Sequence, residues 1–365
     1  VQAIHYAADQ GARVLSNSWA CGCQSAITDD AVSYAHAQGA VFVVAAGNSA
    51  ADALDFSPAS SHEAVTISAS DPNDLLASFS NFGSRIDVAA PGVDVLSTKS
   101  SVGSMCDATN TVGTFYCRVS GTSMATPHTA GLAALVLAKN PALTNEQVRQ
   151  LLRAGAFDAG PAGRDGSYGY GRIRATGTLD LVGSNPLAPF ISSPKTRTVI
   201  AGTVEIRGTA AGTNFASYTV EVGHGRSPSS WQLLAGATTP VTNGVLATVE
   251  TTSLIEGAKT FRLTATTTGG QAYRFESFDV VVDNVVDDFT PPTVAITQPA
   301  QGATVSGTIT VAANASDDIG VANVQFYRDG VTLLGEDATS PYAIDWNTTT
   351  EADGRSFLAW VSGSS

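Results

Sequence analysis

Gly121-Thr122-Ser123-Met124-Ala125-Thr126-Pro127-His128-Thr129-Ala130-Gly131, continued by the apolar run Leu132 to Ala138, is the stretch whose reading decides the fold. Gly121 frees the backbone for a tight turn. Pro127 is placed where a first helical turn tolerates a missing N–H, so a helix is predicted to begin at or next to Ser123. A hydroxyl at that address is held in a fixed place. The unpaired N–H groups and the positive helix end favour negative charge beside it, as a nucleophile for acyl transfer requires. Taken alone, a Ser at such a position reads as an ordinary N-cap.

Working back from this stretch, Ile4, Ala7 and Ala8 make a helical stripe that ends at Gly11, and Val14-Leu15 reads as a short buried strand. A second helix is predicted from about Thr28, taken as N-cap with Asp29 and Asp30 in the first turn, to Gly39. Val41 to Ala46 is a continuous apolar run of the kind found in a sheet covered on both faces. Strand, helix, strand at this spacing is a parallel crossover unit, and further strands at Val65 to Ser68 and Ile86 to Ala89 extend it. The fold class is α/β with a parallel sheet. In such sheets the ligand cleft lies beyond the carboxyl ends of the strands, which singles out Ser16-Asn17-Ser18-Trp19-Ala20 and Ala45-Ala46-Gly47-Asn48.

With the nucleophile stretch, these segments resemble the subtilisin-like serine proteases. The resemblance extends through Phe56-Ser57-Pro58-Ala59-Ser60, Ala77 to Gly83, Asp87 to Gly92 and Tyr168 to Ile173, in that family's order. It implies that Ser123 is the nucleophile and Asn48 the side-chain oxyanion donor. It also implies that Ser18, Trp19, Ala20, Ala46 and Gly47 wall the pocket for the residue before the scissile bond. An amide N–H₂ is a suitable neutral donor to a tetrahedral oxyanion. The alternative use of Asn48 is a turn residue after Gly47.

The mechanism also needs a general base and an acid that orients it. The family carries these in Asp-Ser/Thr-Gly and His-Gly-Thr-His motifs, and neither motif occurs in this chain. No local histidine substitutes: on a helix His128 lies about 140° around the axis from Ser123, and reads as a packed structural residue. His5 and His36 fall in helices, His62 in a loop before a strand, and His224 in the next module. The expectation is a domain truncated at its N-terminus, inactive on peptides and poorly folded when residues 1–365 are expressed alone.

The composition bounds the partners. With 32 acidic against 19 basic side chains the net charge is −13, which argues against nucleic acid or an anionic membrane as the main partner. No apolar run approaches the roughly 18 residues of a membrane span. Cys106 and Cys117 flank a loop just before the nucleophile, at a separation a disulfide could close in an oxidising compartment. For Cys21-Gly22-Cys23 a disulfide is favoured over a metal site, because Cys-x-Cys is not the usual zinc spacing and no His stands nearby in sequence.

Ser184-Asn185-Pro186-Leu187-Ala188-Pro189 marks a connector, after which short alternating strands predict a β-sandwich. A second connector, around Asp287 to Pro292, precedes Val294 to Thr297 and the hairpin signal Asp329-Gly330, in text that resembles bacterial immunoglobulin-like modules. The expected organisation is 1–183 protease-like, 184–194 connector, 195–284 sandwich, 285–292 connector and 293–365 a truncated immunoglobulin-like module. These modules are weighed as spacers or as binders of substrate or cell surface. Asp317-Asp318 is too small a group to identify a calcium site, and no organic cofactor is implied. The chain thus reads as part of a secreted or surface bacterial endopeptidase acting on proteins or peptides. Its rival is a non-catalytic adhesive protein with a degenerate protease-like domain.

Overall fold

The computed structural model describes residues 1–100, 105–284, 292–317, 320–329, 331–350 and 357–363. Asp318, Gly330, Ser356 and nearly all of the second connector lie outside the described residues. The chain divides into two units, Val1–Asn284 and Val285–Ser365.

The first unit opens as the hydrophobic pattern requires. Helix α1 (Gln2–Asp9), β1 (Val14–Asn17), α2 (Ala26–Ala37), β2 (Val41–Ala45), β3 (Val65–Ser70) and β4 (Val88–Pro91) build a four-stranded parallel sheet in the order β1-β2-β3-β4. Strand β2 is buried along its whole length because its two faces enter different cores. Phe42 and Val44 join Ile4, Val32 and Ala35 of the helices on one side, while Val41 and Val43 join the apolar residues of the opposite side. This is the period-2 alternation of a strand covered twice.

After β4 come three short antiparallel strands, β5 (Val95–Thr98), β6 (Thr111–Val112) and β7 (Tyr116–Val119), tied by a Cys106–Cys117 disulfide. Helix α3 (Thr122–Lys139) then packs Leu132, Ala133 and Val136 on the sheet, beside α4 (Asn145–Ala154) and α5 (Ala175–Asp180). A capping box of Thr144 and Gln147 starts α4. The other two cysteines also pair, Cys21 with Cys23, so no thiol is free.

Three local expectations are corrected. The cap of α2 is Ser25, whose hydroxyl accepts the Thr28 N–H at 3.3 Å, and Thr28 is turned inward as a buried residue of the first turn. Pro127 sits one turn deeper in α3 than a first-turn proline. Its absent N–H would have bonded the Ser123 carbonyl four residues earlier, and that carbonyl instead accepts the Ser18 hydroxyl at 2.8 Å. His128 is exposed on the solvent side of α3, with Nδ1 2.8 Å from the Met124 carbonyl, rather than packed.

The connector expected over 184–194 carries a strand, β8 (Phe190–Ser193), and passes directly into the sandwich. The sandwich continues with β9 (Val199–Ile200), β10 (Thr203–Ala210), β11 (Phe215–His224), β12 (Gln232–Ala237), β13 (Val241–Glu250), β14 (Gly257–Thr267) and β15 (Ala272–Val282). Its sheets run β13-β10-β8 and β12-β11-β14-β15-β9 around Ile191, Ile206, Val220, Phe261 and Phe275.

The sandwich is fused to the parallel-sheet half rather than tethered to it. Phe190 stacks on His36 and meets Phe275 edge-on, each at 4.8 Å between centroids. Asp87, which is 1% exposed, anchors a buried charge network beneath this contact. Its carboxylate accepts Arg153 Nε at 2.9 Å, Arg85 Nη1 at 3.2 Å and the Thr66 N–H at 2.8 Å, with Arg149 Nε at 4.0 Å. Arg153 also donates across to the Arg274 carbonyl of the sandwich at 2.8 Å, and Gln150 does so at 2.9 Å.

His62 is buried in the same contact. Its Nδ1 accepts the Thr196 N–H at 3.0 Å and so carries no proton, while Nε2–H donates to the Ile191 carbonyl at 2.7 Å. Burial lowers its pKa from the ordinary 6.5 to about 4, against the opposing pull of Glu63. The unfolded chain therefore takes up a proton that the folded one refuses. Stability is expected to fall as the pH drops from 6.5 towards 4, by up to about 3 kcal/mol. Urea unfolding midpoints across this window should show that slope, and His62→Gln should flatten it; equal slopes would place the acid sensitivity elsewhere.

The second unit pairs Thr293–Gln298, Thr308–Ser316 and Tyr342–Asn347 in one sheet, and Thr332–Asp337, Val321–Arg328 and Phe357–Gly363 in another. Val311, Val324, Phe326 and Trp346 fill the space between them. Among the described residues no helix is long and apolar enough to cross a membrane.

Candidate functional site

The carboxyl ends of β1 and β2 and the amino end of α3 meet in one open cleft of about 440 Å³. Ser18, Trp19 and Ala20 follow β1 along one side, Ala45, Gly47 and Asn48 end β2 on the other, and Thr122 and Ser123 begin α3 between them. Of the residues picked out from the sequence, Ser123, Asn48, Ser18, Trp19, Ala20 and Gly47 are thus brought together. Ala46 lies behind the wall, fully buried, with its carbonyl accepting the Asn81 amide at 2.8 Å.

Asn48 is oriented by a neighbour that the motif reading passed over. Its Oδ1 accepts both the N–H and the hydroxyl of Thr122, at 2.9 and 2.8 Å, and the Thr122 hydroxyl in turn accepts the Gly47 N–H at 3.2 Å. With its oxygen committed, the amide must present its N–H₂ away from Thr122. Asn81 braces the loop from beneath, accepting the Ser49 and Ala51 N–H groups at 2.9 and 3.1 Å. Gly47, at φ 107°, is needed here because a Cβ would lie 2.4 Å from the Asn81 amide nitrogen.

Two donors are left over. Among the described residues neither the Asn48 N–H₂ nor the Ser123 backbone N–H has a protein acceptor. A methyl built on Gly121 would stand 3.4 Å from Asn48 Nδ2 and 3.6 Å from Ser123 N, so both nitrogens border one small space that a side chain at 121 would fill. An oxygen bearing developing negative charge suits such a space, at the positive end of a helix of 18 residues.

The half-buried Ser123 hydroxyl donates to the Ser18 carbonyl at 3.2 Å. The five histidines of the chain are engaged elsewhere. His5 packs on Tyr34, His36 bonds Glu146, His62 spans the sandwich contact, His128 bonds the Met124 carbonyl and His224 meets Lys259. No three His, Cys, Asp or Glu side chains among the described residues converge as a metal cluster would.

Comparison with known proteins follows the same division of the chain. Residues 1–171 match the Subtilase family and residues 292–357 the bacterial Ig domain. The thermophilic serine proteinase of Bacillus sp. (strain AK1) is 41% identical over 173 residues, covering 47% of this chain and 39% of that protein. Subtilisin BL of Lederbergia lenta is 37% identical over 174 residues, covering 48% of this chain and 59% of that protein. Among solved structures, proteases from Pseudoalteromonas arctica PAMC 21717 share 33% identity at a TM-score of 0.41, over 47% of this chain and 51% of theirs. The chain spans about half the length of the relatives it matches.

Proposed function

We propose, from a chain whose residues 1–171 are a subtilase-family domain and whose residues 292–357 are a bacterial Ig domain, that the parent protein is a secreted serine endopeptidase. The observation that carries this is the pair of unpaired donors, Asn48 N–H₂ and Ser123 N–H, beside the Ser123 hydroxyl in one cleft. Ser123 Oγ attacks the scissile carbonyl carbon and gives its proton to a general base, while the carbonyl oxygen becomes the anion between the two donors. Collapse expels the amine, which takes that proton, and water then hydrolyses the acyl-enzyme.

The base and its orienting carboxylate are assigned to His and Asp motifs that this chain does not contain, so residues 1–365 alone are expected not to hydrolyse peptides. The chemistry calls for no organic cofactor, and structural calcium is assigned no ligands. Proteins or peptides are the substrates, and the β modules act as spacers, with binding to substrate or cell surface as their second use. Two disulfides suit an oxidising compartment outside the cell.

A fluorophosphonate probe tests the reading directly. The protein carrying its upstream coding sequence should be labelled, and Ser123→Ala should reduce labelling to background. An upstream region that lacks both motifs, together with no labelling, would leave the adhesive, non-catalytic reading standing.

A further inference from the structure

We propose that a separate cavity, between the parallel-sheet half and the sandwich of the Val1–Asn284 unit, binds a short neutral saccharide; this does not depend on the catalytic reading above. The cavity holds about 420 Å³, within the roughly 300–1,000 Å³ of small-molecule sites, and shares no lining residue with the Ser123 cleft. Strand alternation builds one wall. Leu263 of β14 and Phe275 of β15 turn into the sandwich core, so Arg262, Arg274 and Glu276 stand on the other face, with Arg262 directly across from Glu276. Ser84, Arg164 and Asp165 of the parallel-sheet half and Trp231, between β11 and β12, also line the space.

The polar groups of this lining are under-satisfied. Among the described residues, Arg164 Nε, Asp165 Oδ2, Glu276 Oε2 and Ser84 Oγ are buried without a hydrogen-bond partner. Glu276 and Ser84 are only 7% and 4% exposed. The neighbouring atoms do have partners: Arg164 Nη2 donates to the Ser84 carbonyl, and Asp165 Oδ1 and Glu276 Oε1 accept protein donors. Buried polar groups are nearly always paired, so this concentration around one cavity marks a place where something else completes the bonds.

The charges select the ligand. Arg226, also in the lining, is engaged by Asp52, Asp55 and Asp279, and Arg262 by Glu221 at 2.9 Å. Arg164 and Arg274 then stand against Asp165 and Glu276, so neither an anion nor a cation is favoured. An apolar ligand would leave these groups unpaired, and a zwitterion would have to carry two charges out of water. A hydroxyl donates to a carboxylate and accepts from a guanidinium at once, and a sugar ring offers several of them. Half-buried Trp231 supplies an apolar plane for the C–H face of such a ring, and the Arg262 guanidinium, 3.8 Å from its centroid, holds the indole in place.

The test is a calorimetric titration of the protein carrying its upstream sequence with chitotriose, cellotriose, maltotriose and mannotriose, and with glycylglycine as the zwitterion. At least one trisaccharide should bind saturably. Arg274→Gln and Trp231→Ala should each weaken that binding about tenfold or more, while Ser123→Ala leaves it unchanged. Arg274 is exposed, so Arg274→Gln decides the matter if Trp231→Ala fails to fold. No binding of any trisaccharide by the folded protein, binding of glycylglycine alone, or trisaccharide binding unmoved in the folded variants overturns the assignment. Fluorophosphonate labelling of Ser123 is untouched by any of these results, so the two readings fail separately.

Discussion

Asp87→Ala is expected to destabilise the Val1–Asn284 unit severely. Burial alone would raise the Asp87 carboxyl, but the guanidinium groups of Arg153, Arg149 and Arg85 outweigh that and hold it below the usual carboxylate range. The same carboxylate is what makes three buried arginines tolerable. Glu146 meets Arg149 Nη1 at 3.3 Å, but Arg85 and Arg153 have Asp87 as their ion-pair partner. Removing one partner of a buried pair costs about 3–5 kcal/mol because a charge is left uncompensated, a large part of the roughly 5–15 kcal/mol that holds a domain together. Soluble yield and thermal unfolding of Asp87→Ala would show it, with Asp87→Asn as the variant that keeps the shape and loses the charge. Melting of both within a degree or two of wild type would mean that the network contributes little.

Asn48→Ala is expected to lower kcat by about 10²–10³ with KM little changed, in the protein carrying its upstream sequence. That magnitude is the one measured for a side-chain amide donor in a subtilisin. Two features of the site support its transfer. Thr122 fixes the amide by its oxygen, so the N–H₂ is aimed before substrate arrives. In the proposed mechanism the charge it meets exists only after attack, so the loss belongs in kcat rather than in binding. A kcat within threefold of wild type would remove Asn48 from the reaction.

How legible these sites were depends on how local their causes are. The Ser123 motif is contiguous and its helix starts where Gly121 ends the preceding turn, so reading along the chain was enough. Strand β2 announced burial on both faces through five apolar residues in succession. Asn48 could be found as a type and position, but not its orientation, because Thr122 lies 74 residues further along the chain. Pro127 was misplaced by one turn for a similar reason: the hydroxyl that satisfies the freed Ser123 carbonyl comes from Ser18, 105 residues away.

The network around Asp87 was the hardest to foresee. Asp87 and Arg153 are 66 residues apart, and each alone looks like an ordinary surface charge. One signal was available: Glu146, Arg149 and Arg153 recur at helical spacing on α4, alongside Val148 and Leu152, which marks a charged stripe next to the apolar one. Strand β8 was missed because the prolines at 186 and 189 read as connector, yet the pairing begins immediately after them. Phe56 stood within text that resembles the family, but its place in the cleft wall depends on Gly22 and Gly47, which only the fold brings close to it.

The seam at β8 has a practical consequence for anyone who wants to borrow the parallel-sheet half. A cut after residue 183 would strip off Phe190, Ile191 and Thr196, baring His62 and the aromatic faces that they cover. A piece that keeps these covers runs on to Asn284, and recombination that swaps the sandwich strands would have to exchange both contacting surfaces together.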